Sequence, residues 1–270
     1  MAFHVFAGSR ETPIVPVIRH IDTSDVLAAL RRGLDDFRHK PSHYIFLCMI
    51  YPVVGVVLMA ATSGENAFQL VFPLMAGFAL IGPFAAIGLY EISRRREAGE
   101  DASLRDALAV LRSPAIPSIL TVGAMLVFLF IAWIYSAEAI YRWTFGGFTP
   151  ETIGAFLGAV FTTQAGWTLI VAGNLVGLAF ALVALSTTVI AFPLMIDRDV
   201  GAYAAVATSA RAVMANPGPM LLWGLIVAGG LALGASLFFA GLAVVMPILG
   251  HATWHLYRRV VADPIEARYR

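Results

Sequence analysis

Four histidines offer the chemistry in this chain most suited to a cofactor. His39 and His43 are four residues apart, and so are His251 and His255. That spacing stacks two imidazoles on one face of a helix. If both helices end on the same side of a membrane, four ring nitrogens can converge on a metal ion, or one ring from each helix on a haem. Two features oppose this. Pro41 sits between the first pair and interrupts their helix, and no nearby carboxylate is spaced to orient the rings. The competing reading makes His251, Trp254, His255 and Tyr257 interfacial side chains with polar tips among lipid headgroups. The expectation is therefore no cofactor, with haem or metal on His39, His43, His251 and His255 as the alternative.

Other chemistries leave little trace. The sequence has no G-x-x-x-x-G-K-[ST] phosphate loop, no H-E-x-x-H zinc helix and no G-x-S-x-G elbow. A single cysteine, Cys48, forms neither an internal disulfide nor a thiolate cluster. Basic residues do not interleave with aromatics as nucleic-acid binding requires. No catalytic residue is assigned, and an enzyme is not indicated.

The elements that must position these residues are membrane helices. Hydrophobic residues make up 59% and charged residues 13% of 270, and mean hydropathy is +0.80. Soluble domains carry about 25% charged residues. Charge-free runs of roughly 20 residues are instead membrane-spanning helices. Spans are predicted over 42–62, 67–90, 117–135 and 166–195, the last tilted or kinked at Pro193. Met220–Tyr257 supplies two more, joined where Gly229, Gly230 and Gly234 give flexibility. The rival for this stretch is one long helix broken at Pro247. Three amphipathic surface helices are expected at 25–38, 101–112 and 202–215. The first has Leu27, Leu30, Leu34 and Phe37 on its apolar face, opposite Arg31, Arg32, Asp35 and Asp36. The second has Leu104, Ala107, Leu108 and Leu111 together. A loop is expected over 138–150 and a short apolar helix over 152–163.

Charge placement favours six spans. With both ends cytoplasmic, Arg142 alone of the 18 Lys and Arg residues faces outward. With five spans, Arg258, Arg259, Arg268 and Arg270 would move outside as well. The N-terminal residues His4, Arg10, Glu11 and Arg19 interrupt any cleavable signal pattern, so the first span is expected to act as its own insertion signal. Residues 1–41 form a cytoplasmic arm and helix, 42–260 the six-span domain and 261–270 a cytoplasmic tail. Ala107–Pro114 resembles Ala210–Pro217, each following a span and preceding another, which points to an internal duplication. Gln164, Asn174, Ser186, Thr187 and Thr188 either line a polar path or hydrogen-bond between helices. Glycine pairs at 154/158, 173/177 and 230/234 permit close packing, within the chain or between copies. The arginines that follow the second and last spans set topology or bind anionic lipid or a partner.

Five phrases, Leu30–Gly55, Thr162–Gly177 (TTQAGWTLIVAGNLVG), Phe192–Val200 (FPLMIDRDV), Ala215–Leu225 and Pro247–Arg259 (PILGHATWHLYRR), resemble DUF2189, a family of bacterial integral membrane proteins of unknown function. The resemblance implies an inner-membrane location and supplies no catalytic residues. Some members carry a cytochrome oxidase subunit label, but the haem and copper histidine pattern is not matched here. The expected protein is an all-α, polytopic helical bundle in the bacterial inner membrane, with the lipid bilayer as its first partner. Three function classes stay open. These are a non-catalytic accessory subunit packing with a membrane complex or with itself, a small-solute transporter or channel, and a haem or metal protein linked to respiratory oxidases.

Overall fold

The computed structural model describes residues 16–39, 72–75, 82–83, 86–198, 200–237 and 239–262. The expected first span, most of the second, His43, Cys48 and the C-terminal tail lie outside these residues. The described elements are α1 (Thr23–His39), α2 (Ile87–Glu97), α3 (Leu104–Ala109, continued by a 3-10 turn to Arg112), α4 (Ile116–Phe145), α5 (Ile153–Thr162), α6 (Gln164–Thr188), α7 (Ala191–Asp197), α8 (Ala202–Ala215), α9 (Pro217–Ser236) and α10 (Leu242–Val260). Among the described residues no strand forms, and one antiparallel bridge joins Ile18 to Val261. Among the described residues three stretches are long and apolar enough to cross a bilayer: Ile116–Phe145, Gln164–Asp197 and Pro217–Ser236. Helix α10 is not among them, because its second half is polar.

Local chemistry explains most of the boundaries. Ser103 and Asp106 close a reciprocal capping box on α3. The Thr152 hydroxyl accepts from Ala155 N and starts α5 where a short helix was expected. Helix α4 continues ten residues beyond the expected exit, through most of the predicted loop. Between Tyr135 and Gly146 the sequence has no glycine or proline, Glu138 pairs with Arg142 at 2.8 Å along it, and Gly146 ends it in the left-handed region at φ 62°. The break in Gln164–Asp197 falls at Val189–Ile190 rather than at Pro193 itself. Pro193 has no N–H to give the Val189 carbonyl, and its ring crowds that carbonyl four residues back. The Ser209 hydroxyl then accepts from the buried Ile190 N–H, 3.2 Å away. Helix α8 has the expected bounds and ends at Asn216, just before Pro217.

The chain divides into two compact units: Met1–Pro52, Gly82–Ala124 and Leu185–Arg270 form one, and Val53–Ile81 with Met125–Ala184 the other. In the second unit the Trp133 indole donates to the Pro73 carbonyl at 2.7 Å and its ring packs against Phe180. A Cβ on Gly177 would sit 3.1 Å from that ring. Leu157, Phe161, Val171, Leu175 and Leu178 are exposed, as side chains that face lipid are. Among the described residues Asn174 does not bond to another helix. Its amide donates to the Ile170 carbonyl one turn back, which satisfies an exposed polar group within its own helix.

The first unit is built around α10, whose main partner is α1. Their pairings run in opposite chain directions, Asp25 with Arg259 and Asp36 with His255, so the two helices are antiparallel. The buried stripe of α1 is Val26, Ala29, Gly33 and Asp36, whereas Leu27 is exposed. The expected apolar face was thus rotated: the contact is set by small residues that let the backbones approach. A Cβ on Gly33 would lie 2.5 Å from Ala252 N. On the side facing α2, a Cβ on Gly250 of α10 would lie 2.6 Å from the Leu89 side chain. In α3, Ala107 and Val110 are buried while Leu108 and Leu111 are exposed, a similar shift of face. Helices α9 and α10 form a hairpin. Its turn falls at 237–241, not at Gly229–Gly234, because Gly234 and Gly241 are the crossing point where the two backbones meet.

Candidate functional site

The polar residues of His251–Arg259 radiate from α10 to three other elements. On one side His255 Nε2 lies 2.9 Å from Asp36 Oδ2, and the Ser93 hydroxyl donates to the same oxygen at 2.8 Å. His251 Nδ1 is 2.8 Å from Ser93 Oγ. Arg96 closes this side, donating to the Asp36 carbonyl at 2.8 Å with its guanidinium 3.5 Å from the carboxylate. Farther along, the Trp254 indole and Arg258 both donate to Glu97 of α2. The Tyr257 hydroxyl donates to Asp197 of α7, and Arg259 pairs with Asp25.

Protonation follows from this geometry. Burial alone would raise the Asp36 carboxyl, but hydrogen bonds from His255 and Ser93 outweigh it and hold Asp36 below the usual value. An ionised carboxylate only accepts, so His255 Nε2 and Ser93 Oγ must both donate to it. The Ser93 proton is then committed, and His251 must donate its Nδ1–H to Ser93 Oγ. Burial lowers His251 to about 4, which keeps the ring neutral near pH 7. Hydrogen bonds to a charged group contribute about 1.5–3 kcal/mol each, so Asp36 organises the cluster.

Serine, histidine and aspartate together invite comparison with a nucleophilic triad. There one imidazole links nucleophile to carboxylate. Here two different rings serve Ser93 and Asp36, and the hydroxyl donates straight to the carboxylate, leaving no base to activate it. Ser93 and His251 are fully buried. The arrangement joins helices and does not present a nucleophile.

Ser93 and Glu97 were not singled out by the sequence reading, Asp197 entered it only within the phrase Phe192–Val200, and Asp36 was placed on the polar face of its helix. The carboxylate missing from the histidine spacing is supplied by α1, and the signal for it was the Val26, Ala29, Gly33, Asp36 stripe at helical spacing. His39, at the end of α1, is exposed, so it is not brought into the His251–His255 cluster. Among the described residues no group of three or more His, Cys, Asp or Glu side chains is arranged to hold a metal ion. The arginines at the end of α2 turn inward. Arg94 and Arg95 grip the buried Glu91 at 2.8 and 2.7 Å, and Arg95 also reaches Asp106 at 2.9 Å. Burial would raise Glu91, but these two partners hold it down.

The comparison with known families bears on what carries this hub. Residues 71–197 match DUF2189, described as a predicted integral membrane protein family. This is an integral membrane protein. The DUF2189 match contains Thr162–Gly177 and reaches into Phe192–Val200. The phrases at Leu30–Gly55, Ala215–Leu225 and Pro247–Arg259 lie beyond it, so Ser93, Arg96, Glu97 and Asp197 of the hub fall within the matched segment, while its α1 and α10 members lie outside. No curated protein and no solved structure matches the chain.

Proposed function

We propose that the protein is a multi-pass bacterial inner-membrane protein with a non-catalytic, accessory role, packing against a larger membrane complex or against itself. The observation that supports this is the hub. Its histidines, serine, carboxylates and arginines are turned on one another and tie α1, α2 and α7 to α10. The haem or metal alternative is not carried forward, since His251 and His255 already bond Ser93 and Asp36.

In this reading the first two spans, Ile116–Phe145 and Gln164–Asp197 cross the bilayer, and α9–α10 closes the bundle as a hairpin. A hairpin enters and leaves on one side. Both ends of the chain are therefore cytoplasmic, with the basic residues beside them, and the polar end of α10 stays outside the apolar layer. Purification in gentle detergent followed by native mass spectrometry tests the accessory role. The expected result is a stoichiometric partner or a defined oligomer. A bare monomer from native membranes would refute it.

A further inference from the structure

A cavity of about 500 Å³ opens at the polar end of α10. Arg19, Arg32, Arg258 and Arg259 line it, together with Asp25 and Glu97. Four guanidiniums against two carboxylates leave an excess of two positive charges, and His20 and His255 also line it.

Its walls are fixed. Arg19 N donates to the Val260 carbonyl at 2.7 Å and Ala262 N to the Val17 carbonyl at 2.9 Å. Asn216 clamps the same segment, accepting from Ile21 N at 2.8 Å and donating to the Arg19 carbonyl at 3.1 Å. Arg259 and Arg258 are held by Asp25 and Glu97. Guanidiniums positioned on rigid elements lose little freedom on binding.

We propose that this pocket binds a phosphate monoester or pyrophosphate group. A monoester carries about −1.5 to −2 charge at neutral pH, which matches the excess of the lining, and a pyrophosphate carries more. Its oxygens accept the paired N–H donors that arginine presents. The volume exceeds that of a bare phosphate and leaves room for the group that bears it. The bearer is either a lipid with a monoester headgroup or a soluble phosphorylated compound. The site does not depend on the accessory role proposed above.

The full chain in phosphatidylcholine nanodiscs is titrated with inorganic pyrophosphate by calorimetry, with and without phosphatidic acid in the disc. Saturable binding is expected, and the double variant Arg19→Gln/Arg32→Gln should weaken it at least tenfold. Arg32 is exposed and the Arg19 clamp is made by backbone, so the variant should keep its melting temperature. Arg31→Gln, on α1 but outside the lining, should bind as the wild type does. Competition by phosphatidic acid supports the site and assigns it to lipid; undiminished pyrophosphate binding supports it and assigns it to a soluble ligand. Absence of saturable binding in both discs overturns the proposal, as does equal affinity in the double variant.

Discussion

Replacing His251 by asparagine keeps a side-chain donor for Ser93 but removes a group that titrates. In the folded chain burial lowers this imidazole to about 4, against about 6.5 when unfolded. The unfolded chain therefore binds more protons between these values, and stability rises with pH there. The loss runs the other way. Stability is full above about pH 6.5 and falls as pH drops toward 4, by about 3 kcal/mol in all at 1.36 kcal/mol per unit. Between pH 7.5 and 5.0 the expected loss is about 2 kcal/mol, or roughly 4–8 °C in Tm for a chain of this size. Thermal unfolding in detergent, followed by tryptophan emission at a series of pH values, measures it. His251→Asn should flatten that part of the profile, whatever it does to stability at pH 7.5. Asp36 acts in a lower window: its carboxyl is held below the ordinary value, so its contribution is lost only as pH falls through that depressed value. Equal Tm slopes for wild type and His251→Asn between pH 7.5 and 5.0 would refute the assignment of a buried neutral ring.

Two further outcomes test the joint itself. Asp36→Ala strands the buried Ser93 and His255 donors and should cost about 3–5 kcal/mol; unchanged thermal unfolding would show that the cluster holds nothing together. Gly33→Ala places a methyl 2.5 Å from the Ala252 backbone and should cost about 1–3 kcal/mol through overpacking, whereas Gly158→Ala, which meets no described atom within 4 Å, should leave Tm unchanged or raise it.

Sequence reading succeeded where a local cause acts and missed where the cause is distant. The bounds of α8 follow from Gly201 and Asn216–Pro217, and α5 begins at its threonine cap. Both signals sit within four residues of what they determine. The end of α4 was misplaced because aromatic residues that suit a membrane interface do not stop a helix, whereas Gly146 does. The face of α1 was misread because hydropathy ranks Leu27 above Ala29 and Gly33, while close approach to α10 ranks them in reverse. The hub was the least legible part. Ser93 lies 57 residues from Asp36, and His255 lies 219 residues from it, so no spacing rule connects them. His251 and His255 were recognised as a pair, but their partners come from α1 and α2.

A buried network of this kind is a costly way to gain stability, since apolar side chains of equal volume often hold a core as well or better. Its effect on register gives it a clearer purpose. The α1–α10 seam is lined by Val26, Ala29, Gly33 and Ala252, and a stripe of small residues offers little resistance to sliding. Asp25–Arg259 and Asp36–His255 pin that seam at two points eleven residues apart on α1. A slip by one residue turns α1 by about 100° and carries both carboxylates off their partners, leaving His255 and Asp36 desolvated. The small residues bring the helices together, and the charges determine where they stop. The same two pairs set Asp25, Arg259 and His255 along the wall of the arginine-lined cavity. The register that closes the joint is thus the register that assembles the pocket, and a ligand bound there would stabilise α1 on α10 by mass action.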